Sequence, residues 1–461
     1  MSDETRNNAA EEPKGISRRD FLKVSTMGAA AAALAACAPA GTPAPVSAPP
    51  TAITTAIPGA TTVPNVNTGA KATVRYLSWW FEEGNRGKTW LAFIKEFNDK
   101  HPDIEVKAEQ IPFDQYTTKT IVAAQSGKLD GDIIMATPEL APRLIRSNLL
   151  YPLDSVLTTN NIKDLSSAHD AMRKDGHIYG LDMVTVAFGL IYNSKMYKDA
   201  GVQPAKTPDE LVAVSKELTN RDQQKYGFWS NHLVSEAADF WFKLEEYCMP
   251  YDGVWAKGKT PQLTSEPILK GLTLFKQLYD AAMPQGADGP TADRLFGTNA
   301  LAQQLVVSAA VGSYKPRFPD LYPLLASAPI PWPSNKSIAR IHPMMINKDS
   351  AVKDQALQFV TYMYQPDNYR RMVEGCEDVI FAIESAKDPA YLANLPWLKP
   401  GFDGVTYVTP FDVVGDFVYN FNEFGQIVIT NFADVLTANK PVEDAMAQAQ
   451  KQAEELASRI Q

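Results

Sequence analysis

The sequence predicts an α/β fold built as two lobes, and three observations carry that expectation. From Lys71 onward, strand-period and helix-period segments alternate. They occupy roughly 390 residues, more than a single hydrophobic core covers. The composition, 45% hydrophobic and 21% charged, is that of an ordinary globular protein.

The elements follow in order. Residues 72–78 alternate, with Val74 and Tyr76 on one face, and read as a strand. A polar turn containing Gly84 comes next. Trp90, Phe93, Ile94 and Phe97 then recur at the spacing of one helix face. Ile104, Val106 and Ala108 alternate as a second strand, and residues 116–126 read as a helix. Residues 132–135 form a short buried strand, and 139–149 another helix. This β-α-β-α-β order implies a parallel sheet with helices on both faces. Thr207, Pro208 and Glu210 make an N-cap, an N1 proline and a capping box for a helix over 207–218. Further helices are expected at 236–247, 268–282 and 441–460. Residues 305–311 and 341–346 read as buried strands.

The N-terminus carries an address. Arg18 and Arg19 form a twin-arginine pair, followed by Phe21, Leu22 and Lys23, the pattern of a Tat export signal. Residues 24–36 are uncharged and mostly Ala, too short a run for a membrane span of roughly 20 residues. Leu34-Ala35-Ala36-Cys37 reads as a lipobox, with Cys37 lipidated and first in the mature chain. Residues 38–70 are rich in Ala, Pro and Thr, without charge or aromatic rings, and cannot bury enough apolar surface to fold. The expected organisation is a signal peptide over 1–36 and a disordered tether over 37–70. The protein is then extracytoplasmic, exported by Tat and held to the bacterial cell membrane by lipid at Cys37.

Several classes fall away. A net charge of −9 and the lack of a basic run argue against nucleic acid. Cys248 and Cys376 have no zinc spacing and read as buried thiols, with a disulfide between them the alternative outside the cytoplasm. The five histidines (101, 169, 177, 232, 342) are scattered, with no HExxH, and no GxSxG elbow is present. The expectation is no enzyme, no cofactor and no metal. Residues 253–260 match GxxxxGK(S/T), but Pro250 precedes and Pro261 follows, where a phosphate-binding helix should continue. A surface hairpin at 257–260 is expected instead.

Taken together, certain segments resemble a known family. They are residues 93–106 (FIKEFNDKHPDIEV), 131–134 (GDII), 149–154 (LLYPLD), 178–181 (IYGL), 189–193 (GLIYN), 200–202 (AGV) and 207–211 (TPDEL). In order and spacing they resemble the family 1 extracellular solute-binding proteins of bacterial ABC importers, chiefly sugar receptors. The resemblance spans nearly all of 71–461. It implies a two-lobed periplasmic-binding-protein fold, type II-like, with a ligand cleft between lobes joined by hinge crossings. Residues 71–183 with about 340–405 would form the first lobe, and 184–339 with about 406–461 the second. Asp182-Met183-Val184-Thr185 departs from the family's usual Gly-Leu-Pro and Asp-Thr pattern at the first crossing. Gly297 and Ala300 keep only part of another.

The candidate ligand residues start at Trp79 and Trp80, at the C-terminal end of the first strand, the edge that faces the crevice in open α/β sheets. Strand alternation predicts one of them in the cleft and one in the core. Glu82 follows in the turn. Tyr116, Thr137, Glu139 and Asp182 are further candidates. Trp229 and Asn231, on a second-lobe loop implied by the resemblance, join Tyr314 and Trp332. Trp90, Trp241 and Trp397 read as structural. The expected function is capture of a carbohydrate, an oligosaccharide, for delivery to ABC permease subunits by a monomeric lipoprotein. The alternatives are a non-sugar solute (polyamine, phosphodiester or peptide) and a lipoprotein glycosidase.

Overall fold

The computed structural model describes residues 71–460, apart from 138–139, 335, 378, 396–405 and 409–413. The export signal with Arg18 and Arg19, Cys37, the tether, Glu139 and Trp397 lie outside the described residues.

The first sheet collects β1 (Ala72–Ser78), β2 (Ile104–Gln110), β3 (Ile133–Met135) and β4 (Leu150–Tyr151), plus a late strand, Met344–Asn347. Its order is β2-β1-β3, then Met344–Asn347, then β4. β1 is parallel to β2 and β3, as the βαβ pattern requires. The late strand runs antiparallel to β3, with Met135 opposite Met344. β3 and the late strand are buried throughout, so their unbroken apolar runs are the signature of a sheet covered on both faces. Helix α1 (Gly84–Lys100) lays Trp90, Phe93, Ile94 and Phe97 on this core, and Phe97 meets Phe359 at 5.1 Å. The periodicity read from the sequence is the buried stripe.

The second sheet is organised around β5 (Val184–Asn193), ten residues long. Its end pairs with β6 (Gln303–Val307) and β7 (Leu325–Ala328). Its start pairs with β8 (Lys336–Arg340) at residues 186–187 and with Ile380–Phe381 at residues 184–185. One strand thus takes part in the second sheet and also meets the segments returning to the first. Helices α2 (Ala237–Cys248), α3 (Glu266–Ala282) and α4 (Phe421–Thr437) cover this half through Phe240, Phe275 and Phe432, with Phe275 and Phe432 5.5 Å apart.

Local chemistry explains most boundaries. The Thr207 hydroxyl accepts from Glu210 N–H at 3.2 Å, and the Glu210 carboxylate accepts from Lys206 N–H at 2.7 Å, closing the box one residue earlier than expected. Residues 256–257 and 260–261 pair as the expected hairpin, turned by Gly258 at φ 57°. Lys259 Nζ donates to the Ile460 carbonyl. Cys248 and Cys376 are buried and not joined.

Two expectations are corrected. Residues 305–311 are not one strand: β6 stops at Val307 and a helix starts at Ser308. The run is apolar apart from Ser308, so strand and helix are indistinguishable there by periodicity. The helix expected at 139–149 is confined to Ala141–Arg146.

Candidate functional site

The C-terminal ends of β1, β2 and β3 converge on one edge of the first sheet. β1 ends at Ser78, and Trp80–Glu82 coil into a 3-10 turn. The Ser78 hydroxyl accepts from Trp80 N–H at 3.0 Å and fixes that turn. Because the chain leaves the extended state, alternation no longer governs the side chains. Both tryptophans are buried, at 3% and 1% exposure, which corrects the expectation of one core and one cleft ring. Trp79 packs on Tyr116 at 4.9 Å, and the Tyr116 hydroxyl donates to the Leu77 carbonyl. Trp80 carries the Arg86 guanidinium over its ring at 5.0 Å. Glu82 is exposed on the turn.

Three polar residues complete this edge. Gln110 ends β2 and donates from Nε2 to the Trp79 carbonyl, while its Oε1 is buried without a partner. Thr137 follows β3, is 1% exposed, and its Oγ1 also lacks a partner. Ala136 N–H donates to the Pro343 carbonyl, so the antiparallel register sets Thr137 opposite His342. The His342 ring lies 5.5 Å from Trp79 and 4.8 Å from Trp80, and its Nδ1 is buried and unpartnered. Burial first, then Arg340 and Arg86, hold this imidazole well below its ordinary pKa, so it is neutral.

Asp182 belongs to the crossings beneath. Its Oδ1 accepts from His342 N–H at 2.9 Å and its Oδ2 from the Thr185 hydroxyl at 3.1 Å. Its own N–H donates to His169 Nε2 at 3.0 Å, leaving His169 Nδ1–H for the Ser166 carbonyl. Burial pushes the Asp182 carboxyl up to about 8, against those two hydrogen bonds. Burial likewise lowers His169 to about 4. Asp182 therefore fastens residues 182–185 to residues 340–342.

The mouth of this edge is charged. Glu83 pairs with Arg86 at 3.3 Å, and burial raises its pKa against the pull of Arg86 and Arg340. Arg340 in turn pairs with Asp239 on α2 and lies over Phe242 at 4.3 Å. Arg340 is thereby anchored on α2, and its charge acts on Glu83 just after the turn that carries Trp80.

Against known families, residues 82–370 match the model described as bacterial extracellular solute-binding protein. The chain belongs to that family. Residues 15–35 match the twin-arginine translocation signal sequence, so this solute-binding protein carries an export signal for the extracytoplasmic space. It is 23% identical over 268 residues to the arabinooligosaccharide-binding protein of Bacillus subtilis, 55% of this chain and 60% of that one. The alignments span from 33% to 74% of the curated relatives' own length, 46% and 60% in two of them. Among solved structures it is similar to the GacH receptor of Streptomyces glaucescens, solved unliganded and with acarbose, with a TM-score of 0.70 and 20% identity over 85% of this chain and 100% of that one. It is also similar to the sugar-binding protein MalE of Xanthomonas citri, with a TM-score of 0.71 and 18% identity over 84% of this chain and 98% of that one. The fold of this solute-binding protein is thus the two-lobed periplasmic-binding-protein fold. Its family consists of binding proteins of ABC importers.

The second-lobe candidates of the solute-binding protein sit differently. Trp229 packs in a separate core with Phe296 and Tyr314, and its Nε1 donates to the Ala287 carbonyl at 3.2 Å. Tyr314 donates to Asp293 at 2.9 Å and accepts from Gln304 Nε2 at 2.7 Å. Asn231 donates to Glu236 and accepts from Leu233 N–H. Trp332 packs on Tyr247 at 5.2 Å, and its Nε1 is buried without a partner. The structure therefore brings Trp79, Trp80, Tyr116, Thr137 and Asp182 together, and places Trp229 and Tyr314 in a separate core from that of Trp332. Gln110 and His342 were missed. The rule that selected Trp79, a strand's C-terminal end at the crevice, selects Gln110 equally well. Nothing local marks His342, which reaches the edge only through the antiparallel register of the late strand.

Proposed function

We propose that this solute-binding protein captures a neutral carbohydrate, an oligosaccharide, between its lobes and presents it to ABC permease subunits. In this reading it works as a monomer held to the membrane by lipid at Cys37. The first lobe is built from 71–183 with 340–405, and the second from 184–339 with 406–461. The observation that carries the reading is the edge of the first sheet. Gln110 Oε1, Thr137 Oγ1 and His342 Nδ1 are buried polar atoms without partners beside two indole rings. Buried polar atoms in proteins are ordinarily hydrogen-bonded, and a sugar hydroxyl both donates and accepts. Acarbose and sugar recognition by the two structural relatives support the same class.

The mechanism follows from the crossings. A ligand touching both lobes shifts the population toward a closed form, with no covalent step. The test is a thermal-shift screen of residues 38–461 against mono- and oligosaccharides, confirmed by calorimetry. A true ligand at about 100 times its Kd adds roughly 2.7 kcal/mol of stability. Stabilisation by spermidine or a phosphodiester, with none by any saccharide, replaces the carbohydrate reading. Turnover of a chromogenic glycoside removes the pure-receptor reading.

A further inference from the structure

His342 stands where the site and the hinge meet. Its ring packs against both Trp79 and Trp80, its Nδ1 is buried without a partner, and the strand register sets it opposite Thr137, whose Oγ1 is likewise unpartnered. Its backbone N–H holds Asp182 Oδ1, whose partner oxygen takes the Thr185 hydroxyl of the other crossing. We propose that His342 reads the ligand and reports it to the hinge: its ring Nδ1 hydrogen-bonds a hydroxyl of a neutral ligand, and its backbone N–H carries the contact to the carboxyl that ties the two crossings together. The inference rests on the carbohydrate reading and deepens it by naming the residue that selects for charge.

The surrounding charges explain the selection. Arg86, from α1, and Arg340, from β8, both act on the imidazole. Asp182 meets it through the backbone, with His169 behind Asp182. Glu83 is paired with Arg86, and Asp239 with Arg340. A cationic group arriving at Nδ1 meets two guanidiniums and a neutral ring. An anionic group must compete with Glu83 and Asp239 for those guanidiniums. A hydroxyl fits either tautomer of the imidazole without a change in charge.

The experiment uses residues 38–461 with maltotriose and arabinotriose as neutral probes, spermidine as the cation and glycerophosphocholine as the phosphodiester. The wild-type protein is expected to bind a neutral probe. His342→Phe should weaken that binding about tenfold, the usual weight of one hydrogen bond, and His342→Asn should recover part of the loss. The His342 15Nδ1 resonance of the wild-type protein should move on saturation with the neutral probe. At saturating ligand, the fall in radius of gyration should be smaller for His342→Phe than for wild type. Unchanged affinity in His342→Phe, or an unmoved 15Nδ1 signal where wild type binds, overturns the role of His342 and leaves the carbohydrate reading standing. If His342→Phe does not fold, the wild-type resonance decides alone. Binding of spermidine or glycerophosphocholine in place of a neutral probe, or of no probe at all, overturns both.

Discussion

Two aromatic regions of this protein look alike in sequence and differ in their hydrogen bonds. Around Trp79 and Trp80, Gln110, Thr137 and His342 bury polar atoms that have no protein partner. Around Trp229, the indole N–H, the Asn231 amide, both His232 nitrogens and the Tyr314 hydroxyl are all engaged within the second lobe. Burial and aromatic content do not separate the two, since both tryptophan sites are under 10% exposed. What separates them is how many polar groups already have partners: beside Trp229 the Ser230 hydroxyl lacks one, whereas at the first edge Gln110, Thr137 and His342 each leave an atom unpaired. A region with its polar groups satisfied is held together by itself. A region with unsatisfied groups is arranged for something that arrives later.

The largest test of this contrast is truncation of the ring on the satisfied side. Trp229→Ala removes a packed indole and strands the Ala287 carbonyl, and should cost roughly 3–5 kcal/mol in urea unfolding. Ligand affinity of the folded protein should stay within about twofold. A stable Trp229→Ala protein that no longer binds saccharide breaks the comparison.

Acidity sharpens it next. Burial raises the Asp182 carboxyl to about 8 in the folded protein, well above the ordinary carboxylate range, so folding favours its neutral form. That contribution is fully present below about pH 4 and is lost as the pH rises through about 8. His169 works in the opposite sense: its contribution is present above its ordinary value and is lost as pH falls through about 4. Between about pH 5 and about pH 8, wild type should therefore lose stability relative to Asp182→Asn, with His169 cancelling in the difference. Equal slopes for the two proteins would place no such strain at the crossings.

The smallest expected effect on stability is the most direct on the edge itself. Thr137→Val deletes a hydroxyl that has no partner to lose. Unfolding free energy should change by less than about 1 kcal/mol, while saccharide affinity falls up to about tenfold. A large loss of stability with affinity intact would make Thr137 structural.

Local rules in the sequence captured the helices and most of the first sheet. Trp90, Phe93, Ile94 and Phe97 declare their buried face by spacing alone, and Thr207 with Glu210 declares a helix start. The readings that failed are those where neighbouring residues do not determine the backbone. Residues 305–311 are apolar but for Ser308, a pattern that suits either state, and nothing before Ser308 announces the turn from strand to helix. Trp79 and Trp80 alternate only on paper, because the Ser78 hydroxyl pulls the chain out of the strand. Half of the edge was legible because Trp79, Trp80 and Thr137 follow strands that the pattern identifies. His342 was not legible, because its place depends on the pairing of Met135 with Met344, more than two hundred residues apart in the chain.

The thiols of Cys248 and Cys376 have a use unrelated to recognition. Cys248 closes α2 in the second lobe and is fully buried, its thiol held up by burial. Cys376 closes the helix Pro366–Cys376, which packs against α1 on the first lobe, and is 1% exposed. Thiolates react with alkylating reagents and buried thiols do not, so each sulfur becomes modifiable only when its own surroundings open. Among the described residues the chain thus carries two chemical clocks, and their labelling rates report the opening around α2 and around the helix Pro366–Cys376 separately.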